Sequence, residues 1–434
     1  MPSPLRITQG FVALLSLFSG MTDAASSNSQ AGAGAGASKD LRILATTYNG
    51  TVLPYSVDPS TSSFDAAPAN VAAKQFGQNP GWVCYAPSFS TGSRDASRRI
   101  LYIADGASGN MFAASLKSAD PLQLDPIGQP VSSKGQEPVS CSVGHGASAN
   151  MLFVANYGTG SLAYFHLDPK TGEIDESSRQ TYQFTREGTG PVKDRQDHSY
   201  AHQTQISPTG DWVYICDLGA DVVHRFQITA AKGQQAAKVE YKGDTKVDVG
   251  SGPRHITFYP SLADASKKAG DDKMYAYLAS ELSSTVTAFE HDAATGELKQ
   301  LGKPLYPFPA GTPLSGPGIL PTNRTTAEIE VSPDGRFVYV SNRGDKKEDH
   351  ITIFSRDAHQ GTLRFEKWIG SGGLLPRHFS LSSPADGTAG YLVSAHQDSQ
   401  DLVLFKRNVQ TGDLEKVKKI PDVGVVVYAG FLPA

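Results

Sequence analysis

From Leu41 onward the chain is written in short runs of alternating apolar and polar residues, the period of a half-buried β-strand. One unit recurs: an alternating run ending in a small residue, a polar turn, then a second alternating run. It opens as ILATTYNGTVLPYSV at Ile43, LYIADGASGNMFAASL at Leu101, LFVANYGTGSLAYFHL at Leu152 and VYICDLGADVVHRFQI at Val213. AYLASELSSTVTAFEH at Ala276, VYVSNRG…HITIFSR at Val338 and YLVSAHQDSQDLVLFKR at Tyr391 bring the total to seven units. The small residues closing the first runs are Ala45, Ala104, Ala155, Cys216, Ala279, Ser341 and Ser394. They stand from about fifty to just over sixty residues apart, the length of a four-stranded blade with variable loops.

Further strands flank these units. HQTQISPTGD at His202, RHITFYP at Arg254, AEIEVSPDGR at Ala327 and RHFSLSSPADG at Arg377 precede four of them. LDPKTGEI, HDAATGEL, RDAHQGTL and RNVQTGDL follow four, and their Asp/Asn and, in three of them, Thr-Gly are turn chemistry. Each repeat therefore reads as strands A, B, C and D. The fold predicted is all-β: a seven-bladed β-propeller of four-stranded antiparallel blades over residues 41–434, closed by the strand in Val423–Phe431. Such blades bury their faces only against neighbours, which implies one cooperative domain.

Strand A is innermost in a blade, and its start shares a face of the disk with the B–C loop. Alignment on the turn prolines puts His202, Arg254 and Ala327 in one register, joined by Arg377 if 383–384 hold a one-residue insertion. Two residues past the small anchors lie Thr47, Gly106, Tyr157, Leu218, Glu281, Arg343 and His396. Charge thus gathers in blades four to seven, on His202, Arg254, His255, Glu281, Arg343, Arg377, His378 and His396. Any one of these reads equally well as a packing residue, and Glu281 could be no more than an inter-blade partner for an arginine. Together they suit an anionic substrate: guanidiniums to hold carboxylate and stabilise developing charge, histidine and glutamate to move a proton. The chain has no HExxH, no EF-hand loop, no GxSxG elbow and no phosphate-cradling glycine loop, so neither metal, cofactor nor serine nucleophile is expected. The long insertion 261–272 falls between strands A and B, away from this mouth.

Composition narrows the partners. With 39 basic and 43 acidic residues the net charge is −4, and no basic stripe marks a nucleic-acid site. Arg6, the apolar run Phe11–Phe18 and the small residues before Ala25 have the grammar of a secretory signal peptide over 1–24, cleaved near Ala24. The run is too short to span a bilayer. A low-complexity linker follows over 25–40. Secretion would allow glycosylation at the sequons Asn49-Gly50-Thr51 and Asn323-Arg324-Thr325. Cys84, Cys141 and Cys216 are odd in number and scattered; they read as buried strand fillers rather than a disulfide framework or a zinc site.

Gly252-Pro253-Arg254-His255, the VSPDGRFVYVSNRG run from Val331 and Leu375-Pro376-Arg377-His378-Phe379 make the chain resemble the seven-bladed lactonase propellers over nearly all of 41–431. That family takes in bacterial-type 6-phosphogluconolactonase and fungal carboxy-cis,cis-muconate cyclase. The resemblance implies a metal-independent lactonase or lactonising cycloisomerase acting on a small anionic lactone or unsaturated carboxylate. It carries the catalytic roles onto His202, Arg254, Glu281 and Arg343, with the acid and base unassigned; His255, Arg377, His378 and His396 become candidate substrate contacts. Secretion would argue against a cytosolic phosphosugar as substrate. The alternative from another class is a secreted, non-catalytic propeller that binds a ligand or partner.

Overall fold

The computed structural model describes residues 41–432, apart from 59–60, 62, 67–73, 86–97, 118–122, 186–189, 233–235, 261–272, 313–323 and 383–389. The expected signal peptide, the low-complexity tract, the 261–272 insertion and Asn323 lie outside the described residues. Seven antiparallel sheets are formed, and almost no helix. Blade IV is representative: Ala201–Ile206, Trp212–Asp217, Val222–Thr229 and Lys238–Lys246 run from channel to rim. Inner strands Pro80–Tyr85, Pro138–Val143, Pro253–Tyr259, Thr325–Val331 and Pro376–Leu381 head blades II, III, V, VI and VII. Blade I takes its inner strand, Val426–Phe431, from the far end of the chain, pairing Ile43 with Phe431 and Ala45 with Ala429.

Burial depends on the place of a strand in its blade. The second strands are almost wholly buried, as in Met151–Asn156 and Trp212–Asp217, and the fourth strands are mostly exposed, as in Ile174–Gln183. Apolar side chains collect into seven clusters, each between neighbouring blades; Tyr55, Val393 and Phe431 belong to the one that joins blades VII and I. The turns read from sequence also tie blades together. Asp168, Asp292, Asp357 and Asn408 each accept two backbone N–H groups of their own C–D turn. The left-handed glycine of each turn offers its carbonyl to a tyrosine of the preceding blade. Tyr102, Tyr214, Tyr277 and Tyr339 donate to Gly172, Gly296, Gly361 and Gly412 at 2.7–2.9 Å. Each such bond contributes about 1 kcal/mol.

The cysteines correct the sequence reading. Cys84 and Cys141 form a disulfide between the inner strands of blades II and III, 57 residues apart, and only Cys216 is the buried filler expected. In the chain-entropy model a loop of that size stabilises the fold by ~4 kcal/mol.

Candidate active site

Every inner strand breaks register with its neighbour at its first turn. The residues extruded there are Gly81, Val139, His202, Arg254, Ala327, Arg377 and Val427, one per blade. A β-bulge sets two residues against one and re-aims a side chain. Prolines at the heads of four of these strands, Pro80, Pro138, Pro253 and Pro376, fit the bulge because they have no ladder N–H to leave unpaired.

The bulges surround a cavity of about 490 Å³ at the channel mouth, lined by Gly81, Val139, His202 and Arg377 from the bulges and by Tyr48, Gly106, Tyr157, Glu281 and Arg343 from the ends of the second strands. Asn79, Glu137, Pro138, Asp194, Arg195 and Tyr200 complete the wall. Glu281 is its electrostatic centre, with 6% of its side chain exposed. Its Oε1 meets Arg195 Nη2 at 2.8 Å, and its Oε2 meets Arg254 Nε at 2.9 Å and Arg343 Nη2 at 3.2 Å. The Arg254 contact lies off the N–H axis, an ion pair rather than an aligned hydrogen bond. Burial alone would raise the Glu281 carboxyl, but Arg343, Arg254 and Arg195 outweigh it and hold the group well below the usual carboxylate range. Arg254 Nη1 also donates to Ala327 O at 2.7 Å, and Arg343 Nη2 to Thr326 O at 3.1 Å.

His202 is buried beside this cluster, its ring edge-on to Tyr157 at 5.6 Å. Burial, then Arg254, pushes its pKa far below the ordinary imidazole value, so the ring is neutral at physiological pH. Tyr157 accepts a hydrogen bond from Arg195 Nε at 2.9 Å, and burial raises its phenol. Arg377 differs from the other guanidiniums. It lies near the Tyr48 ring, 5.9 Å from the centroid, and among the described residues it has no carboxylate partner.

His202, Glu281, Arg343 and Arg377 thus line one cavity, and Arg254 stands directly behind Glu281. The salt bridge entertained between Arg254 and Glu281 exists but lies within blade V; the bridges that leave the blade run to Arg343 of blade VI and to Arg195, so the group is structural and site-forming at once. Three expected substrate contacts fall elsewhere. His255 and His378 point below the cavity, where His255 Nδ1 meets Glu328 Oε1 at 2.9 Å and His378 Nε2 meets Glu328 Oε2 at 3.4 Å. His396 is fully buried, its Nδ1 2.9 Å from Asp401, and packed so closely under Gly373 that a Cβ there would come within 2.6 Å of the ring. The pairings explain this. Pro376 opposes His396 as Pro80 opposes Asp105 and Pro253 opposes Ser280, so the mouth position in blade VII is the next residue, Gln397. Val426 likewise opposes Thr47, which moves the mouth position of blade I to Tyr48. A slip of one residue exchanges the two faces of a strand.

Arg195, Tyr48, Tyr200, Asn79 and Glu137 had no place among the residues expected from sequence. Arg195 comes from a short 3-10 turn, Lys193–Arg195, between blades III and IV, outside the repeat. Tyr157 stood in the right register but carries no charge. Asn49 is exposed in the turn next to Tyr48, its Oδ1 accepting the Thr51 N–H at 3.2 Å. Among the described residues no cluster of three or more His, Cys, Asp or Glu could hold a metal, and no helix is long and apolar enough to cross a membrane.

Residues 45–431 match the family model described as lactonase, 7-bladed beta-propeller. A 6-phosphogluconolactonase of Formosa agariphila is 32% identical over 270 residues, 62% of this chain and 67% of that protein. One from Bacillus subtilis is 28% identical over 295 residues, covering 68% and 74%. Among solved structures, a periplasmic gluconolactonase of Pseudomonas aeruginosa superposes with a TM-score of 0.71 at 25% identity, covering 91% of this chain and 99% of that one.

Proposed function

The chain belongs to the seven-bladed β-propeller lactonase family, and we propose that it hydrolyses a small lactone bearing a single carboxylate, bound at the channel mouth. The observation that carries this reading is one cavity holding a neutral buried histidine, a carboxylate under three guanidiniums, and a fourth guanidinium, Arg377, with no carboxylate partner among the described residues. Arg377 takes the substrate carboxylate, a pairing its planar fork favours. His202, neutral, removes a proton from water as the water oxygen bonds to the lactone carbonyl carbon. The oxyanion so formed is stabilised by the Arg343 and Arg195 guanidiniums, which Glu281 holds in place. When the ring C–O bond breaks, the His202 imidazolium returns its proton to the departing alkoxide, and the product is the open hydroxy acid. A depressed pKa makes that imidazolium a strong acid for the second step.

The charge count supports a carboxylate over a phosphate dianion. Arg195 and Arg343 are already committed to Glu281, and Glu137 and Asp194 add negative charge to the wall. Names of relatives point to a phosphorylated sugar lactone, so paired substrates test the reading: turnover of lactones with carboxylate, phosphate or neither, with and without EDTA. The proposal expects carboxylated lactones to be preferred and EDTA to have no effect. No turnover of any lactone, with tight binding of another ligand, would favour a non-catalytic propeller instead. We propose further that the protein is exported; the inter-blade disulfide and the signal-peptide pattern support this, and sequencing the mature N-terminus tests it.

A further inference from the structure

Below the cavity the residues following the bulges form a ring, one per blade: Trp82, Ser140, Gln203, His255, Glu328, His378 and Tyr428. Trp82 closes it, its ring 5.2 Å from His255, 5.0 Å from His378 and 5.4 Å from Tyr428, all in edge contacts. Glu328 is a buried carboxyl in this floor that neither the sequence pattern nor the hydrolytic scheme uses.

The two oxygens of its carboxyl are held differently. His378 Nδ1 meets the Ala429 carbonyl at 3.0 Å, closer than the 3.4 Å to the Ala429 N–H, so Nδ1 carries the proton and Nε2 is an acceptor. That acceptor lies 3.4 Å from Glu328 Oε2, and the two make no hydrogen bond. Oε1 receives the Ile329 N–H at 3.1 Å and faces His255 Nδ1 at 2.9 Å, which donates to it. Oε1 is thus satisfied twice over, while Oε2 is left without a hydrogen-bond partner. Burial pushes the carboxyl upward and both imidazoles downward, in the same sense.

His255 links this floor to the site above. Arg254 Nη1 is 3.3 Å from His255 Nδ1 and 3.2 Å from Nε2; near-equal distances to both nitrogens set the guanidinium over the ring face. A neutral ring attracts a cation there, and an imidazolium would repel it.

We propose that Glu328 is a positioning residue: by accepting from His255 Nδ1 through Oε1 it fixes the ring plane on which Arg254 lies, and so holds Arg254 against Glu281. The kinetic part of this inference rests on the hydrolytic reading; the structural part does not. Glutamine keeps an oxygen in place to accept from His255. Methionine fills the space and cannot accept.

The test is crystal structures and kinetics of Glu328→Gln, Glu328→Met and His255→Phe. Glu328→Gln is expected to keep Arg254 on Glu281 and to retain kcat within about threefold. Glu328→Met and His255→Phe are each expected to let Arg254 leave Glu281 and to lower kcat about 10–100-fold with KM little changed. The double variant should be no worse than either single one, because both break one link. Loss of activity in Glu328→Gln would show an ionised, directly acting carboxylate and overturn the proposal. So would Arg254 remaining in contact with Glu281 in Glu328→Met or, should that variant not fold, in His255→Phe. If the wild-type protein opens no lactone the hydrolytic reading falls, and the crystallographic arm still decides this one.

Discussion

The two halves of the mouth share a backbone and differ in chemistry. Blades I, II and III present Val427, Gly81 and Val139 at their bulges, while blades IV, V and VII present His202, Arg254 and Arg377. At the second-strand ends, Tyr48, Gly106 and Tyr157 on one side face Glu281 and Arg343 on the other. The bulge is therefore a property of the scaffold, repeated whether or not it carries a reactive group. What distinguishes the working half is which side chain the bulge delivers. Blade VI marks the limit: its bulge offers Ala327, and its contribution comes instead from Arg343 and, one layer lower, Glu328.

The sharpest way to break the contrast is to remove its centre. Glu281→Ala leaves three guanidiniums facing one another without a counter-charge; we expect a loss of about 3–5 kcal/mol in urea melts together with activity. Because the folded carboxyl lies below its ordinary value, this contribution is present above about pH 4.3 and is lost as pH falls through the depressed value. His202→Ala should lower kcat about 10²–10⁴-fold with an unchanged melting temperature. The wild-type pH–rate profile should show no acid limb near pH ~6.5, since the His202 ring stays neutral well below that.

Arg377→Met should raise KM for carboxylated lactones about 10–100-fold and leave neutral lactones unaffected. A loss common to both classes would sink its assignment as the carboxylate anchor. A smaller effect belongs to the scaffold of blade IV, where His224 is clamped between Asp217 at 3.0 Å and Asp244 at 2.6 Å. Burial opposes its protonation, but the two carboxylates prevail and its pKa is raised. Its stabilisation is full below about pH 6.5 and fades as pH rises through the raised value. The melting-temperature gap between wild type and His224→Gln should therefore narrow from about pH 5.5 to about pH 9. Least affected should be Gly81→Ala in the quiet half. A Cβ there meets nothing nearer than Asn79 O at 3.8 Å, and activity should stay within about twofold.

Seven blades, the turn chemistry and the late closing strand were legible because each repeats a local pattern. The bulge residues were legible for the same reason, since the turn prolines align His202, Arg254, Ala327 and Arg377. His396 was misplaced because in blade VII the small anchor is Ala395, not Ser394, and a single step reverses a strand side chain. Arg195 sits in a connection with no repeat to align, and Cys84 finds Cys141 only through the packing of adjacent blades. The pattern within a strand can be read from the chain; what a side chain meets on the next blade requires the ring.

Blade I owes its inner strand to residues 426–431, and that strand brings Tyr428 to the cavity floor while its partner strand leads to Tyr48 on the wall. A nascent chain whose last strand is still inside the ribosomal exit tunnel can stack six blades, yet its binding site has neither that wall nor that part of its base. Contacts of such long sequence separation form late and slowly. Competence for turnover should thus arrive abruptly, at the docking of one short strand, rather than accumulate blade by blade.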